Sequence, residues 1–291
     1  MFAYVAASLG KCIIIKEEDG GLFLDGMGTL RRPDFRLVTS DNLEFLVEVK
    51  NFRARSLERP FRIDEGYLNS LRKYSELMSV PLKFAIFWSG WNQWTLVDDF
   101  DFTLAGGKGT LLFGEALKNN QMGLIGDLLV GIEPPLSVRF HADQTKPRDV
   151  SESGEAPFTI GGATLHVAGQ EITDETERNL AWFFLLHGKW TSIEQTADIA
   201  SNQLNYFEIS AAPEEVTENQ GFEIVGSLAE MASAQYIAAT SKGTKVASLS
   251  PDMDPDSLGI RVPQDYEGKV LKLWRFHQVR ATDTERKKSC F

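Results

Sequence analysis

Pro33-Asp34-Phe35-Arg36-Leu37-Val38-Thr39-Ser40-Asp41-Asn42-Leu43-Glu44-Phe45-Leu46-Val47-Glu48-Val49-Lys50 reads as two short strands joined by a turn, and the residues at its two ends decide the fold. Residues two apart in a strand point to the same face, so Glu48 and Lys50 share one face of residues 43–50 with Glu44 and Leu46. Leu43, Phe45, Val47 and Val49 take the other face; the ordinary alternative is an amphipathic strand with Glu and Lys on a wet face. Thr39-Ser40-Asp41-Asn42 carries turn residues, so residues 35–38 should fold back antiparallel. That places Asp34 beside the end of the next strand, where Glu48 and Lys50 sit.

Two carboxylates at one point resist joint ionisation unless a cation joins them. Hard oxygen ligands suit Mg2+, which keeps several waters and also takes phosphate oxygens. An acid pair with a lysine is therefore a constellation for metal-assisted phosphodiester hydrolysis. The metal, Mg2+ or Mn2+, polarises the phosphate and lowers the pKa of a bound water, and Lys50 orients that water or steadies the developing charge. Asp34 and Glu48 are the expected ligands.

The order of elements gives the motif a setting. Residues 2–9 read as a helix closed by Gly10, and Cys12-Ile13-Ile14-Ile15 as a β-branched strand before the two motif strands. Asp64 can cap a helix whose apolar positions Tyr67, Leu68, Leu71, Tyr74 and Met78 repeat near 3.6, with Pro81 ending it. Residues 82–88 follow as a buried strand.

This order, with Pro33-Asp34 and Glu48-Val49-Lys50, resembles the core of the PD-(D/E)XK superfamily, the restriction-endonuclease-like nucleases, over roughly residues 1–97. The resemblance implies an α/β fold with a mixed sheet flanked by helices. It also implies metal ligation by Asp34 and Glu48, a further ligand from the Val49 carbonyl, and Lys50 near the attacking water. DNA is the implied substrate, and RNA or a nucleotide is left open. Two features depart from the family pattern. The first helix carries no glutamate, and Ser70 stands four residues before Tyr74 where RecB-like members have Gln. Glu17 and Glu18, ahead of Asp19-Gly20-Gly21, read as part of a solvated hairpin turn. The contrasting class is a nuclease-derived scaffold that keeps the fold and no longer cuts; an intact Asp34, Glu48 and Lys50 set disfavours it.

The chain carries a net charge of −11, which argues against sequence-independent coating of DNA, since that rests on many Lys and Arg contacts to phosphate. The charge is uneven: residues 1–100 hold thirteen basic and fourteen acidic residues, so nearly all the excess lies beyond. Arg31 and Arg32 precede Asp34, and Arg53, Arg55, Arg59 and Arg62 follow Lys50. These six are the candidate phosphate contacts, with ordinary surface arginines as the alternative.

With 291 residues, two domains are expected: a nuclease domain over 1–145 and a C-terminal α+β accessory domain over 158–291, for target recognition or partner binding, with a polar linker at 144–157. In the second, 158–160 and 164–167 read as a hairpin turning at Gly161-Gly162. Thr173-Asp174-Glu175-Thr176 opens a helix stopped by Gly188, and 228–240 reads as an Ala-rich helix. Ala181-Trp182-Phe183-Phe184-Leu185-Leu186 is far shorter than a membrane span, and His141, His166 and His277 show no ligand spacing; His187 should sit at a helix end, favoured by the helix dipole. Cys12 and Cys290 are too few for a disulfide framework. With no secretion signal pattern at the N-terminus, an intracellular, cytoplasmic protein is expected, and a homodimer is one assembly open to it. Arg286-Lys287-Lys288 reads as a flexible tail.

Overall fold

Asn42 adopts a left-handed conformation, φ 60°, which Asn tolerates in tight turns, and the two motif strands fold back on each other as expected. A computed structural model of the protein describes residues 1–215, 217–242, 245–248, 254, 259–263 and 265–280. The tail Arg286-Lys287-Lys288 and Cys290 lie outside the described residues.

The chain forms two compact units. One comprises Met1–Leu128, Ser227–Arg261 and Phe276–Phe291, the other Leu129–Gly226 and Val262–Arg275. The stretch 144–157, read as a linker, falls inside the second of these units. That stretch is polar because it is a surface loop of the second unit, and its backbone is tied down: Val150 donates to the Asn202 carbonyl at 2.9 Å, and Leu204 donates to the Arg148 carbonyl at 2.9 Å. Composition alone cannot distinguish such a loop from a linker.

The first unit runs α1 (Phe2–Ser8), β1 (Cys12–Glu17), β2 (Phe35–Thr39), β3 (Glu44–Phe52), β4 (Phe61–Asp64), α2 (Glu65–Met78), β5 (Leu82–Trp88), β6 (Gln93–Asp98), β7 (Thr103–Ala105), β8 (Lys108–Leu111) and α3 (Phe113–Lys118). Its main sheet has the order β1-β2-β3-β5-β6. β3 and β5 are parallel, and the other neighbours antiparallel. This is a mixed α/β fold. Parallel neighbours require a crossover, supplied by β4 and α2. The Asp64 side chain accepts the Tyr67 N–H at 3.1 Å and caps α2, and Ser79 ends it in a left-handed conformation, φ 56°. α2 buries Leu68, Leu71 and Tyr74 in one core with Leu46, Phe84 and Ile86.

The opposite sheet face carries Phe35, Phe87 and Trp94. Phe2 of α1 lies 5.9 Å from Phe35 and 5.4 Å from Trp94, ring centre to ring centre. The helix Leu228–Thr240 reaches the same tryptophan, whose Nε1 donates to Ser233 Oγ at 2.8 Å. That helix was expected in the accessory domain. It is apolar nearly all round, so its sequence names no partner.

The second unit holds β9 (Leu129–Ile132), β10 (Leu136–Ala142), β11 (Ile160–Val167), β12 (Gln170–Ile172), α4 (Glu175–His187), β13 (Ser192–Ala200) and β14 (Gln203–Ala212). An antiparallel sheet of order β12-β11-β10-β14-β13 accompanies α4, which makes this unit α+β. The hairpin expected at Gly161-Gly162 does not exist: both glycines lie inside β11, where a Cβ on Gly161 would come within 3.1 Å of Asp143 Cα. Glycine serves close backbone approach beside a bulge. The chain turns instead at Ala168-Gly169, φ 47° and 81°, angles suited to a two-residue hairpin. His187 ends α4, yet burial lowers its pKa, the reverse of what the helix dipole would do.

Asp127 and the N-terminus of the helix Leu228–Thr240 form a buried polar joint. Ser227 and Glu230 make a capping box, and Asp127 Oδ1 accepts the Ala229 N–H at 2.9 Å. Burial, with the Glu230 charge, pushes Asp127 up to about 7 against the pull of those hydrogen bonds. A carboxyl raised above its unfolded value contributes stability that is fully present below the unfolded pKa and is lost as pH rises through the folded one. Urea denaturation of parent and Asp127→Asn from pH 4 to 8 should show the parent losing stability relative to the variant up to about pH 7, then a constant difference. A difference independent of pH would contradict it.

Candidate functional site

Register places the site. Glu17 pairs with Phe35, and Phe35 with Val47; one step further along the ladder, Glu18, Asp34 and Glu48 form a row across three strands. The backbone confirms the step, since the Glu18 N–H donates to the Asp34 carbonyl at 2.9 Å.

Glu48 is 1% exposed, so its face of β3 is not the wet one. β5 lies alongside as a parallel neighbour and α2 covers the face, which an amphipathic reading of one strand cannot foresee. Glu48 Oε1 accepts from Lys50 Nζ and from the Tyr67 hydroxyl, the latter at 2.6 Å. Lys50 Nζ also stands 5.2 Å from the centre of the Tyr67 ring, within the range of a cation–π contact. Burial first, then the Glu48 hydrogen bond, pushes the Tyr67 hydroxyl pKa up, so it donates to Glu48 at any ordinary pH.

Asp34 is partly buried, and its Oδ2 accepts the Val49 N–H at 2.6 Å. Burial raises its pKa and the Glu48 charge adds to the rise, while the Val49 hydrogen bond and Lys50 pull the other way. The structure therefore brings Asp34, Glu48, Val49 and Lys50 together. Among the described residues, no group of three or more His, Cys, Asp or Glu side chains converges to hold a metal ion. Mg2+ needs only one or two carboxylates beside its waters. Asp34 and Glu48 are two carboxylates side by side in the row, and both hydrogen bonds at Glu48 engage Oε1.

Glu18 corrects a second expectation. It is 7% exposed rather than solvated, and its Oε1 accepts the Tyr74 hydroxyl at 2.6 Å and Arg36 Nη2 at 3.0 Å. Burial works to raise its carboxyl, but these hydrogen bonds and the Arg36 charge win and hold the pKa below its ordinary value. Sequence reading missed both Tyr67 and Glu18. The signal for them was weak: two tyrosines seven apart on one helix face, each above an acid whose position depends on the strand register.

The arginines differ in their engagements. Arg32 is occupied in the β1–β2 loop: its guanidinium donates to the Gly20 and Asp19 carbonyls and lies 4.7 Å from the Phe23 ring centre. Arg59 covers the Phe52 ring at 5.5 Å. Arg31, Arg53, Arg55 and Arg62 are exposed. In the second unit, His141 and His166 both reach Thr164 Oγ1, at 2.7 and 2.9 Å, a contact their spacing did not suggest.

No family model and no curated protein matches the chain. Among solved structures it is similar to Hjc, a Holliday junction resolvase of Archaeoglobus fulgidus, at 10% identity, covering 38% of this chain and 84% of that one with a TM-score of 0.31. So slight a similarity carries no argument. Among the described residues, no helix is long and apolar enough to cross a membrane.

Tyr67→Phe should cost about 1 to 3 kcal/mol of stability, because it strips one donor from a buried carboxylate. Chemical denaturation of the two proteins at neutral pH measures this. An unchanged midpoint would show that the hydroxyl does not hold Glu48.

Proposed function

We propose that this chain is a metal-dependent endonuclease with a restriction-endonuclease-like core, hydrolysing phosphodiester bonds in DNA. The convergence of Asp34, Glu48 and Lys50 at one end of a mixed sheet carries this reading. Replacing a buried ion pair by apolar residues is often neutral or stabilising, so a carboxylate 1% exposed in the middle of a core strand is poorly accounted for by stability alone. A chemical task accounts for it.

Asp34 and Glu48, with the Val49 carbonyl, would hold Mg2+ or Mn2+, which when bound polarises a phosphate oxygen and lowers the pKa of a coordinated water. The Val49 N–H fixes the Asp34 carboxylate, and Tyr67 fixes that of Glu48. Lys50, drawn to Glu48 and resting on the Tyr67 ring, holds a positive charge where a phosphate would gain negative charge. The arginines exposed after β3 would contact the DNA backbone on either side of the scissile bond. The second unit would supply target recognition or a partner surface.

Asp34→Asn and Glu48→Gln should each lower the cleavage rate on plasmid or oligonucleotide DNA by roughly 10²- to 10⁴-fold, the range for removing a group that acts in the transition state. Asp34→Asn should not lower stability at neutral pH, since it removes the raised half of a repulsive pair. Cleavage by either variant near the parental rate in Mg2+ would remove the assignment.

The arginine loop has its own test. If Arg53 and Arg55 contact phosphates, the double change Arg53→Gln/Arg55→Gln should weaken binding for all sequences alike. It should also reduce the slope of log affinity against log salt by roughly two units, about one per lost contact. Fluorescence anisotropy across a salt series reads both. Identical slopes would make the loop ordinary surface.

A further inference from the structure

The loop joining β1 to β2 exposes apolar side chains beside the site. Leu22 is 88% exposed, Leu24 83% and Met27 52%, three within six residues, where scattered single residues would need no explanation. The loop does not display them through lack of structure. Asp25 accepts the Met27 and Leu30 N–H groups at 2.8 and 2.7 Å, and the Gly28 N–H reaches the Asp25 carbonyl at 3.3 Å. Arg32 clamps the incoming strand through the Gly20 carbonyl at 2.9 Å. Phe23 turns back, its ring 6.1 Å from that of Tyr74, whose hydroxyl holds Glu18. Polar ties within the loop thus keep an apolar tip in water.

Position points to the occupant. The loop leaves the sheet after Glu18 and returns at Asp34, two members of the carboxylate row. The arginine segment that follows Lys50 rises from the same end of the sheet, because Asp34 opens β2 beside the closing half of β3. Exposed Arg31 stands at the base of the apolar tip, exposed Arg53 and Arg55 follow the end of β3, and exposed Arg62 lies in β4. None of these four makes a side-chain ion pair among the described residues. An apolar tip leaving the same end of the sheet as an arginine segment suits a polyanion that carries apolar faces between its charges, and nucleic acid has that character: phosphates outside, stacked bases within. Apolar side chains placed between base steps unstack and bend a duplex.

We propose that Leu22, Leu24 and Met27 form a wedge that enters the base stack of duplex DNA next to the phosphate held at the Asp34 and Glu48 site. This rests on the nuclease reading and extends it: the favoured substrate is a duplex already weakened in its stacking, at a mismatch or an unpaired base, because opening such a step costs least. Arg31 and the arginines after β3 hold the backbone while the tip enters.

The test compares Leu22→Ser/Leu24→Ser with the parent, both as full chains in Ca2+, on two duplexes of equal length, one fully paired and one with a single mismatch beside a 2-aminopurine. Residues this exposed tolerate substitution with little effect on folding. The parent is expected to bind the mismatched duplex about tenfold more tightly and to raise 2-aminopurine emission as the base unstacks. The double variant is expected to lose the preference and the emission rise while binding the paired duplex like the parent. Equal affinity of the parent for both duplexes, or an emission rise retained in the variant, would overturn the wedge and leave the nuclease reading standing. Binding to neither duplex would overturn both. Loss of a parental dimer in the variant by analytical ultracentrifugation, with DNA binding unchanged, would assign the tip to self-association and overturn the wedge.

Discussion

Burying the Glu48 carboxylate without partners would cost several kcal/mol, and the fold is arranged so that this does not happen. Lys50 comes from the same strand two residues on, hence from the same face. Tyr67 comes from α2, and its placement is governed by the Asp64 cap: the Asp64 side chain takes the Tyr67 N–H, while the Tyr67 hydroxyl donates to Glu48. One residue therefore reads both the start of the helix and the position of the strand. A shift of α2 by one residue would rotate Tyr67 by about 100°, given 3.6 residues per turn, and leave Glu48 with a single partner. Helix capping and site geometry are one constraint.

The same arrangement recurs two turns along α2. Tyr74 reaches Glu18 as Tyr67 reaches Glu48, with Arg36 in the place of Lys50. The outcomes differ because the surroundings differ. Glu18 receives two donors on one oxygen and has Lys16 at 3.7 Å from the other, so its charge is settled and its pKa lowered. Asp34, between the two glutamates in the row, has one backbone donor and a repelling neighbour, and its pKa is raised. A carboxylate already satisfied is an anchor for the sheet; one held in tension with its neighbour gains most from an added cation.

Much of this site was legible in the sequence, for a physical reason: local turns and two-residue periodicity fix which face a strand residue takes. Thr39-Ser40-Asp41-Asn42 sufficed to bring Asp34 back to Glu48, and Asp64 sufficed to start α2. What could not be read depends on contacts between distant segments. That Glu48 is buried follows from β5 lying alongside and α2 covering its face. The place of Glu18 follows from register across a loop of irregular structure. The helix Leu228–Thr240 returns to the first unit through Trp94 and Ser233, a pairing separated by more than a hundred residues and advertised by no charge pattern. Gly161-Gly162 misled because glycine serves close approach as readily as it serves turns.

A chain of net charge −11 that acted on a polyanion, as proposed, would meet long-range repulsion that salt partly screens, and would depend on local cations to oppose it. A small arginine cluster would also limit how many phosphates can be engaged, so counterion release would supply only a modest affinity. Such a protein gains by adding a contact that does not depend on salt. Apolar side chains against base faces are of that kind, since burying apolar surface releases no counterions. On the proposed reading, the acidity of the chain, the small arginine cluster and the exposed leucines of the β1–β2 loop would belong together: weak electrostatic attraction would discourage binding to regular duplex, and the apolar contact would reward the place where the stack is already open.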